Sequence, residues 1–163
     1  MKTVDGKNKT LDEIKNNLTN YLKSRDEILL AYLFGSCLKN KFGGTHDIDI
    51  AVYLNPATFE NLDRSQPYGY QAGLTANIIQ LLRYNLVDLV ILNRATPLLA
   101  YEIIHNGILL FACSEDIRVT IEIASLKKHA DTKRLRKIKH FSSLWSPTQP
   151  PAQKSLWLVE SGL

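Results

Sequence analysis

The 163-residue sequence predicts an α/β (α+β) domain in which helices flank a small mixed β-sheet. Two observations indicate this class. Four short and mostly apolar runs, typical of strands, alternate with segments whose apolar residues recur every three or four positions, as in amphipathic helices. Hydrophobic residues make up 45% of the chain and charged residues 22%, so the composition supports a packed core and excludes a disordered chain.

Periodicity and turn residues place the elements of the N-terminal half. Apolar residues on one face predict the first helix, and the apolar run that follows is typical of a buried strand that stops at Gly35-Ser36. A connection rich in Lys and Gly leads to a second strand, closed by Asn55-Pro56. The predicted elements are a helix over residues 10–24, strands over Ile28–Phe34 and Asp47–Leu54, and a loop or weak helix over residues 56–66.

The C-terminal half continues the alternation of helices and strands. Thr96 is predicted to cap a helix that begins at Pro97, and Asn106-Gly107 is expected to end it. The last helix has a candidate break near Ala130-Asp131. Around the Pro97 helix, the predicted elements are a helix from Gly69 to near Asn85, strands over Leu86–Leu92 and Ile108–Cys113, and a helix over Ile117–Ile138.

The last stretch of the chain differs in composition. It contains Pro147, Pro150 and Pro151 together with several Ser and Gln residues. We therefore predict one folded domain over residues 1–141 and an extended tail over residues 142–163. A floppy terminus is favoured over a docking peptide, because chain ends are usually poorly ordered unless other parts of the protein hold them.

The net charge of +4 is unevenly distributed along the chain. Seven basic residues and one acid lie between Lys127 and Lys139, so this segment carries +6 and the rest of the chain carries −2. Excess positive charge attracts nucleic-acid phosphates. However, no aromatic stacking platform or recognised DNA-binding motif accompanies the segment, which argues against direct nucleic-acid binding.

Cysteine content and hydropathy predict a cytoplasmic protein. Cys37 and Cys113 are too few and too far apart in sequence to suggest a disulfide framework. The polar segment Met1–Asn20 lacks the apolar centre of a signal peptide, and the apolar run Ile28–Phe34 is far shorter than the roughly 20 residues that span a bilayer. We expect the protein to be neither secreted nor inserted in a membrane.

Three aspartates lie in or next to segments that otherwise resemble buried strands. Asp47 and Asp49 are two residues apart and so share one face of a strand, while Asp88 interrupts a later apolar run. An unpaired carboxylate is costly to bury, so such acids need a cation or a hydrogen-bonding partner. If the strands are neighbours, the carboxylates converge on one point and favour Mg²⁺, which prefers oxygen ligands. The alternative is that each caps a strand or pairs with a lysine, and for Asp88 that it lies on an edge strand.

Gly35-Ser36 adds a second element to this pattern. Glycine allows the backbone to approach a ligand closely, and a serine at the start of a short helix offers its hydroxyl and amide to a phosphate. A plain strand-to-helix turn would explain the pair taken alone. Together with the carboxylates, a phosphate cradle favours phosphoryl or nucleotidyl transfer.

The spacing of these residues resembles the signature of a known superfamily. Leu33-Phe34-Gly35-Ser36, ten further residues and Asp47-Ile48-Asp49-Ile50 are similar to the motif of the DNA polymerase β-like nucleotidyltransferases. The small size resembles their minimal nucleotidyltransferase (MNT) branch. The resemblance covers roughly residues 10–140 and extends to Val87-Asp88-Leu89-Val90, similar to the strand that carries the third carboxylate, and to the helix and strand after it.

The resemblance implies a role for each of these residues. Gly35 and Ser36 would hold the β and γ phosphates of a nucleoside triphosphate such as ATP, and Asp47 and Asp49 would carry two Mg²⁺ ions. Asp88 would complete the metal site and help to activate the attacking hydroxyl. The nucleoside monophosphate is then transferred and pyrophosphate leaves.

The chain also departs from the family pattern. Cys37 occupies the position after Gly-Ser where the family usually has an arginine. Lys39 and Lys41 are candidate nucleotide-binding residues that could substitute as point charges, although without the bidentate geometry of arginine. His46 is expected to face solvent or to be hydrogen-bonded rather than to bind Mg²⁺.

The resemblance further implies a partner. MNT proteins are commonly antitoxins of HEPN ribonuclease toxins and transfer AMP from ATP to a toxin tyrosine. The leading hypothesis is therefore an Mg²⁺-dependent protein adenylyltransferase that neutralises a HEPN toxin. The alternatives are a non-catalytic antitoxin that acts by occlusion, and a nucleotidyltransferase acting on RNA or a small molecule.

The basic segment has its own set of interpretations. Arg134, Lys137 and His140 follow each other at spacings of three, which places them along one face of a helix. The simplest interpretation is a solvated helix whose apolar side packs on the core. The second is a docking surface for an acidic toxin or for the nucleotide phosphates, and nucleic-acid binding comes third.

Overall fold

A computed structural model describes residues 10–38 and 47–144 of the chain, with side chains as far as residue 133. This part of the chain contains five α-helices and four β-strands, and the predicted α+β class is confirmed. The helices are α1 (Leu11–Lys23), α2 (Pro56–Ser65), α3 (Gly69–Leu82), α4 (Pro97–Asn106) and α5 (Glu115–Leu144). The strands are β1 (Ile28–Phe34), β2 (Ile48–Leu54), β3 (Val87–Ile91) and β4 (Ile108–Ala112).

Most element boundaries lie within a few residues of those predicted, because side chains cap the helices. Thr10 and Glu13 form a reciprocal capping box at the start of α1. Thr96 accepts a hydrogen bond from the backbone N–H of Leu99, with Pro97 as the first residue of α4. Of the two alternatives for residues 56–66, the helix is correct, because Asn55 caps the backbone N–H of Ala57.

One prediction about the last helix is wrong. No break occurs near Ala130-Asp131, and α5 continues to Leu144. Neither residue is a Gly or Pro, so nothing in the local sequence forces a kink. The helix also extends past residue 141, where the sequence analysis ends the domain, and residues 145–163 of the predicted tail lie outside the described residues.

The sheet has the strand order β3-β2-β1-β4. β1 pairs antiparallel with β2 and with β4, while β2 and β3 run parallel. Because β2 and β3 are neighbours, residue 49 lies beside residue 88 in the register. β3 forms one edge of the sheet, so Asp88 lies on an edge strand, as one of the alternatives for this residue supposed.

Two apolar cores cover the two faces of the sheet. The larger core includes buried residues of α1, α2 and α3, among them Leu18, Phe59 and Leu74. The second core joins alternate strand residues to α4 and α5, among them Tyr32, Ala51, Ile103 and the partly buried Ile121. Since strand residues two apart share a face, Asp49 projects on the same side as Ala51, the side of α4 and α5.

Hydrogen bonds and ion pairs fasten α5 to the sheet. The buried Tyr32 hydroxyl donates to Glu122 Oε1 at 2.7 Å. Arg118 donates to Glu122 at 2.7 Å and also pairs with Glu115. In the described part of the chain, no helix combines the length and apolarity needed to cross a membrane.

Candidate active site

The end of β1 brings the backbone unusually close to β2. Gly35 has a φ of 83°, in the left-handed region that favours glycine. A Cβ atom at this position would overlap the Asp49 carboxylate, because the adjacent residue Phe34 pairs with Asp49 across the sheet. The sequence therefore needs glycine here for two independent reasons, its backbone conformation and the space that it leaves for the carboxylate.

Ser36 begins a short 3-10 turn directly after this glycine. Its backbone N–H forms a hydrogen bond with Asp49 that favours the ionised carboxylate. Asp49 itself is half-buried. The turn and the carboxylate thus form one unit at the edge where β1 ends and β2 begins.

The other two predicted carboxylates flank Asp49. Asp47 is exposed and immediately precedes β2, whose first residue, Ile48, donates its N–H to the Leu86 carbonyl at 2.9 Å. Asp88 is exposed on β3, in register with Asp49. The structure therefore brings the three aspartates to the same end of two parallel strands.

Electrostatic repulsion among the three carboxylates affects the pKa of Asp49. Burial raises the pKa of Asp49 above its usual range, and the negative charges of Asp88 and then Asp47 raise it further. The Ser36 N–H acts in the opposite direction. A cation placed among these groups would relieve both the burial cost and the repulsion.

The donor set fits Mg²⁺ better than it fits a transition metal. All three side chains offer carboxylate oxygens, which are hard ligands. Within the described residues, no group of three or more His, Cys, Asp or Glu side chains is arranged to hold a metal ion by itself. This is compatible with Mg²⁺, which is commonly bound by one or two carboxylates together with substrate phosphates and water.

Cys37 does not face the proposed phosphate position. Its side chain is only 1% exposed and belongs to the larger core, and its thiol donates to the Phe34 carbonyl at 3.2 Å. Burial raises the pKa of the Cys37 thiol, and the charge of Asp49 adds to the rise. Cys37 thus packs the turn against the larger core, a role that the sequence did not indicate.

The structure leaves some predicted residues untested and adds one that the sequence did not indicate. Lys39, Lys41 and His46 lie outside the described residues. Tyr84 lies close to the site, since burial and then the negative charge of Asp47 raise the pKa of its hydroxyl. Nothing in the sequence marks Tyr84, because it lies in an ordinary connection between a helix and a strand.

Comparison with protein families identifies the domain. The family described as "Polymerase beta, Nucleotidyltransferase" matches residues 16–116, well over half of the chain. This range includes the Gly35-Ser36 turn and all three aspartates. A comparison with curated proteins finds no significant match.

Solved structures confirm the fold. A crystal structure of a toxin-antitoxin with AMP-PNP contains a chain with a TM-score of 0.58 and 19% identity, over 80% of this chain and 98% of that one. A complex of tri-AMPylated Shewanella oneidensis HEPN toxin with MNT antitoxin gives a TM-score of 0.56 at 19% identity, over 82% and 98% of the two chains. The toxin-antitoxin MntA-HepT gives 0.55 at 18%, over 82% and 99%.

Proposed function

The chain belongs to the polymerase beta nucleotidyltransferase family, and we propose that it is an antitoxin that transfers AMP from ATP to a tyrosine hydroxyl of a HEPN ribonuclease toxin. The observation that carries the proposal is the shared strand end where Gly35 leaves room for Asp49 and where Asp88 lies in register with it. The similar structures support the choice of acceptor, since one contains a tri-AMPylated HEPN toxin and another contains AMP-PNP.

In this proposal each residue group has a separate task. Gly35 and the amide and hydroxyl of Ser36 bind the terminal phosphates of ATP. Asp47, Asp49 and Asp88 would hold two Mg²⁺ ions, which supply charge neutralisation of the triphosphate when bound. Exposure of Asp47 and Asp88 leaves the site open to a macromolecular acceptor.

The proposed reaction is a single displacement at the α-phosphorus of ATP. The tyrosine oxygen forms a bond to that phosphorus, and the bond from the α-phosphorus to the bridging oxygen of the β-phosphate breaks. Pyrophosphate leaves, and the hydroxyl proton passes to the carboxylate of Asp88. We assign Asp88 to orient the hydroxyl as well as to accept its proton.

The test is a transfer assay with the full chain. The protein is incubated with Mg-ATP and the HEPN protein encoded beside it, and the partner is examined by mass spectrometry for AMP increments. We expect increments with the native protein, none with the Asp47→Asn/Asp49→Asn double variant, and native behaviour with Asp131→Asn, an exposed aspartate on α5. An increment that persists in the double variant would remove the proposed roles of both aspartates.

A second candidate function is neutralisation by binding alone. The observation that favours it is the burial of Cys37, which supplies no charge to a triphosphate at the position where the family usually has arginine. Protection of cells from the toxin without any AMP increment would establish this alternative. Labelled ATP with RNA ends or small hydroxylated acceptors tests the remaining possibility, transfer to another substrate class.

A further inference from the structure

Helix α5 has an inner face against the domain and an outer face toward solvent. Ile121, Ser125 and His129 belong to the inner face, and Ser125 is only 8% exposed. Six exposed residues follow one another along a second line on the helix at alternating steps of three and four. We call them the outer seam: Asp116, Val119, Ile123, Leu126, Ala130 and Lys133.

The composition of the outer seam is unusual for a solvated helix face. Its centre is apolar, with Val119 39%, Ile123 45% and Leu126 50% exposed. Alternating steps of three and four are the a and d positions of a heptad repeat, the pattern by which one helix packs against another helix. Because α5 is continuous through this region, the seam forms one unbroken line of about 26 Å.

The ends of the outer seam carry opposite charges. Asp116 occupies the first position and Lys133 the last, and neither forms an ion pair with another described residue. In a parallel pair of identical helices, each charge would lie beside its own copy. In an antiparallel pair, the acidic end of one helix lies beside the basic end of the other.

We propose that the outer seam binds the outer seam of a second copy of this chain, as an antiparallel two-helix coiled coil with two-fold symmetry. A single register satisfies every position. Asp116 then lies opposite Lys133 of the partner copy, Val119 opposite Ala130, and Ile123 opposite Leu126. Asp116, Ile123 and Ala130 are the a positions of the seam, and each lies opposite a d position of the partner copy, as antiparallel coiled coils require. Each pair occurs twice, because a two-fold interface uses the same surface of both copies.

This inference stands apart from the proposed nucleotidyl transfer. The seam consists of exposed residues of α5, whereas the three aspartates lie at one end of strands β2 and β3. A helix of a different protein is the main competing occupant. The charge pattern favours a second copy, because the seam is complementary to itself in one orientation only.

The first test measures the mass of the full chain in solution under reducing conditions, which exclude disulfides through the exposed Cys113. Light scattering over the micromolar range should show a dimer that dissociates on dilution. Leu126→Glu should give a monomer, because it places a carboxylate against Ile123 of the partner copy at two sites. A native chain that stays monomeric throughout this range would overturn the proposal.

Charge reversal tests the register of the interface. Asp116→Lys and Lys133→Glu should each raise the dimer dissociation constant by about tenfold, since each creates two like-charge pairs. The double variant should recover native dimerisation. Asp131→Lys is the matched control, because it makes the same reversal on an exposed residue of α5 outside the seam. Additive weakening in the double variant would contradict the antiparallel pairing.

Cross-linking separates the antiparallel pair from any other dimer. In a Cys113→Ser background, a mixture of Val119→Cys and Ala130→Cys proteins should form a disulfide-linked dimer on mild oxidation. Neither protein should cross-link efficiently on its own. Circular dichroism confirms that each variant is folded, which is expected because every seam position is exposed in the monomer. Efficient self-linking of the Val119→Cys protein would indicate parallel pairing and overturn the proposal.

Discussion

Asp49 is held in a position that costs the folded protein free energy at neutral pH. Burial and the charges of Asp88 and Asp47 raise its pKa, so folding favours the neutral carboxyl. When folding raises the pKa of a carboxyl group, the free energy of unfolding falls as the pH rises through the folded-state pKa. The cost of keeping Asp49 ionised in the folded protein is therefore present at neutral pH. It is absent at a pH below the ordinary pKa of an aspartate.

The raised pKa of Asp49 predicts a pH-dependent gain in stability for Asp49→Asn. The melting temperature at neutral pH should rise by roughly 2 °C, because the amide carries no charge to desolvate. The gain should shrink as the pH falls and the native carboxyl becomes neutral. Thermal denaturation at several pH values measures it, with Asp131→Asn as the control. A neutral-pH melting temperature below that of the native protein would contradict the electrostatic account.

Gly35 should be intolerant of any side chain. Gly35→Ala introduces a Cβ that overlaps the Asp49 carboxylate and imposes a strained φ of 83°. We expect a loss of about 2 kcal/mol in the free energy of unfolding, measured by urea denaturation, and loss of AMP transfer. The matched control is Gly73→Ala within α3, where the new Cβ meets only the end of the flexible Gln66 side chain. That variant should be close to neutral, and equal costs for the two would argue against a special role for Gly35.

A sequence motif does not determine the direction in which the Cys37 side chain points. The sequence identifies the missing arginine but not the direction of the replacing side chain, which depends on how the 3-10 turn packs. Because the thiol lies in the core, Cys37→Arg should not restore a phosphate contact. We expect it to cost about 3 kcal/mol or more by burying an unpaired charge, in chemical denaturation. A folded Cys37→Arg protein with tighter ATP binding would show that the side chain reaches the nucleotide.

At the scale of elements, local signals were sufficient for most helices and strands. The Thr10 and Thr96 caps and the apolar runs mark boundaries because they act within a few residues. The exposure of Asp88 on an edge strand was not predictable in the same way, since strand order depends on pairing between distant segments. The sequence does not determine whether β2 and β3 are neighbours, and in the structure they pair side by side.

The attachment of α5 to the sheet gives a prediction at this scale. Tyr32→Phe removes the 2.7 Å hydrogen bond to Glu122 while preserving the ring in the second core. We expect a loss of about 1 to 2 kcal/mol in the free energy of unfolding, because the hydrogen bond is partly buried and its acceptor also pairs with Arg118. Tyr53→Phe is the control, since no hydrogen bond of the Tyr53 hydroxyl occurs among the described residues. Equal effects of the two substitutions would mean that the hydrogen bond contributes little.

At the scale of the whole molecule, the charge distribution gains a structural meaning. The acidic site was predictable because unpaired aspartates in apolar strands are costly to bury, so their close spacing indicates that they bind a cation or another partner. The basic segment, Lys127 to Lys139, lies within the single long helix α5. Its position on one long helix could not be inferred from charge alone, because composition does not determine where a helix ends.

The two cores also allow a prediction about the extent of the domain. Among the residues whose side chains the structure describes, the buried residues of both cores and the partly buried apolar residues packed against them lie between residues 11 and 121. A chain that ends at Leu144 keeps all of these and the whole of α5, so its melting temperature should differ from that of the full chain by about 1 °C or less. A chain that ends at Ala112 loses the Glu122 partner of Tyr32 and should unfold at a much lower temperature or aggregate. Thermal denaturation and AMP transfer by the 1–144 protein check the expectation, and a large drop in its melting temperature would show that residues 145–163 belong to the folded domain.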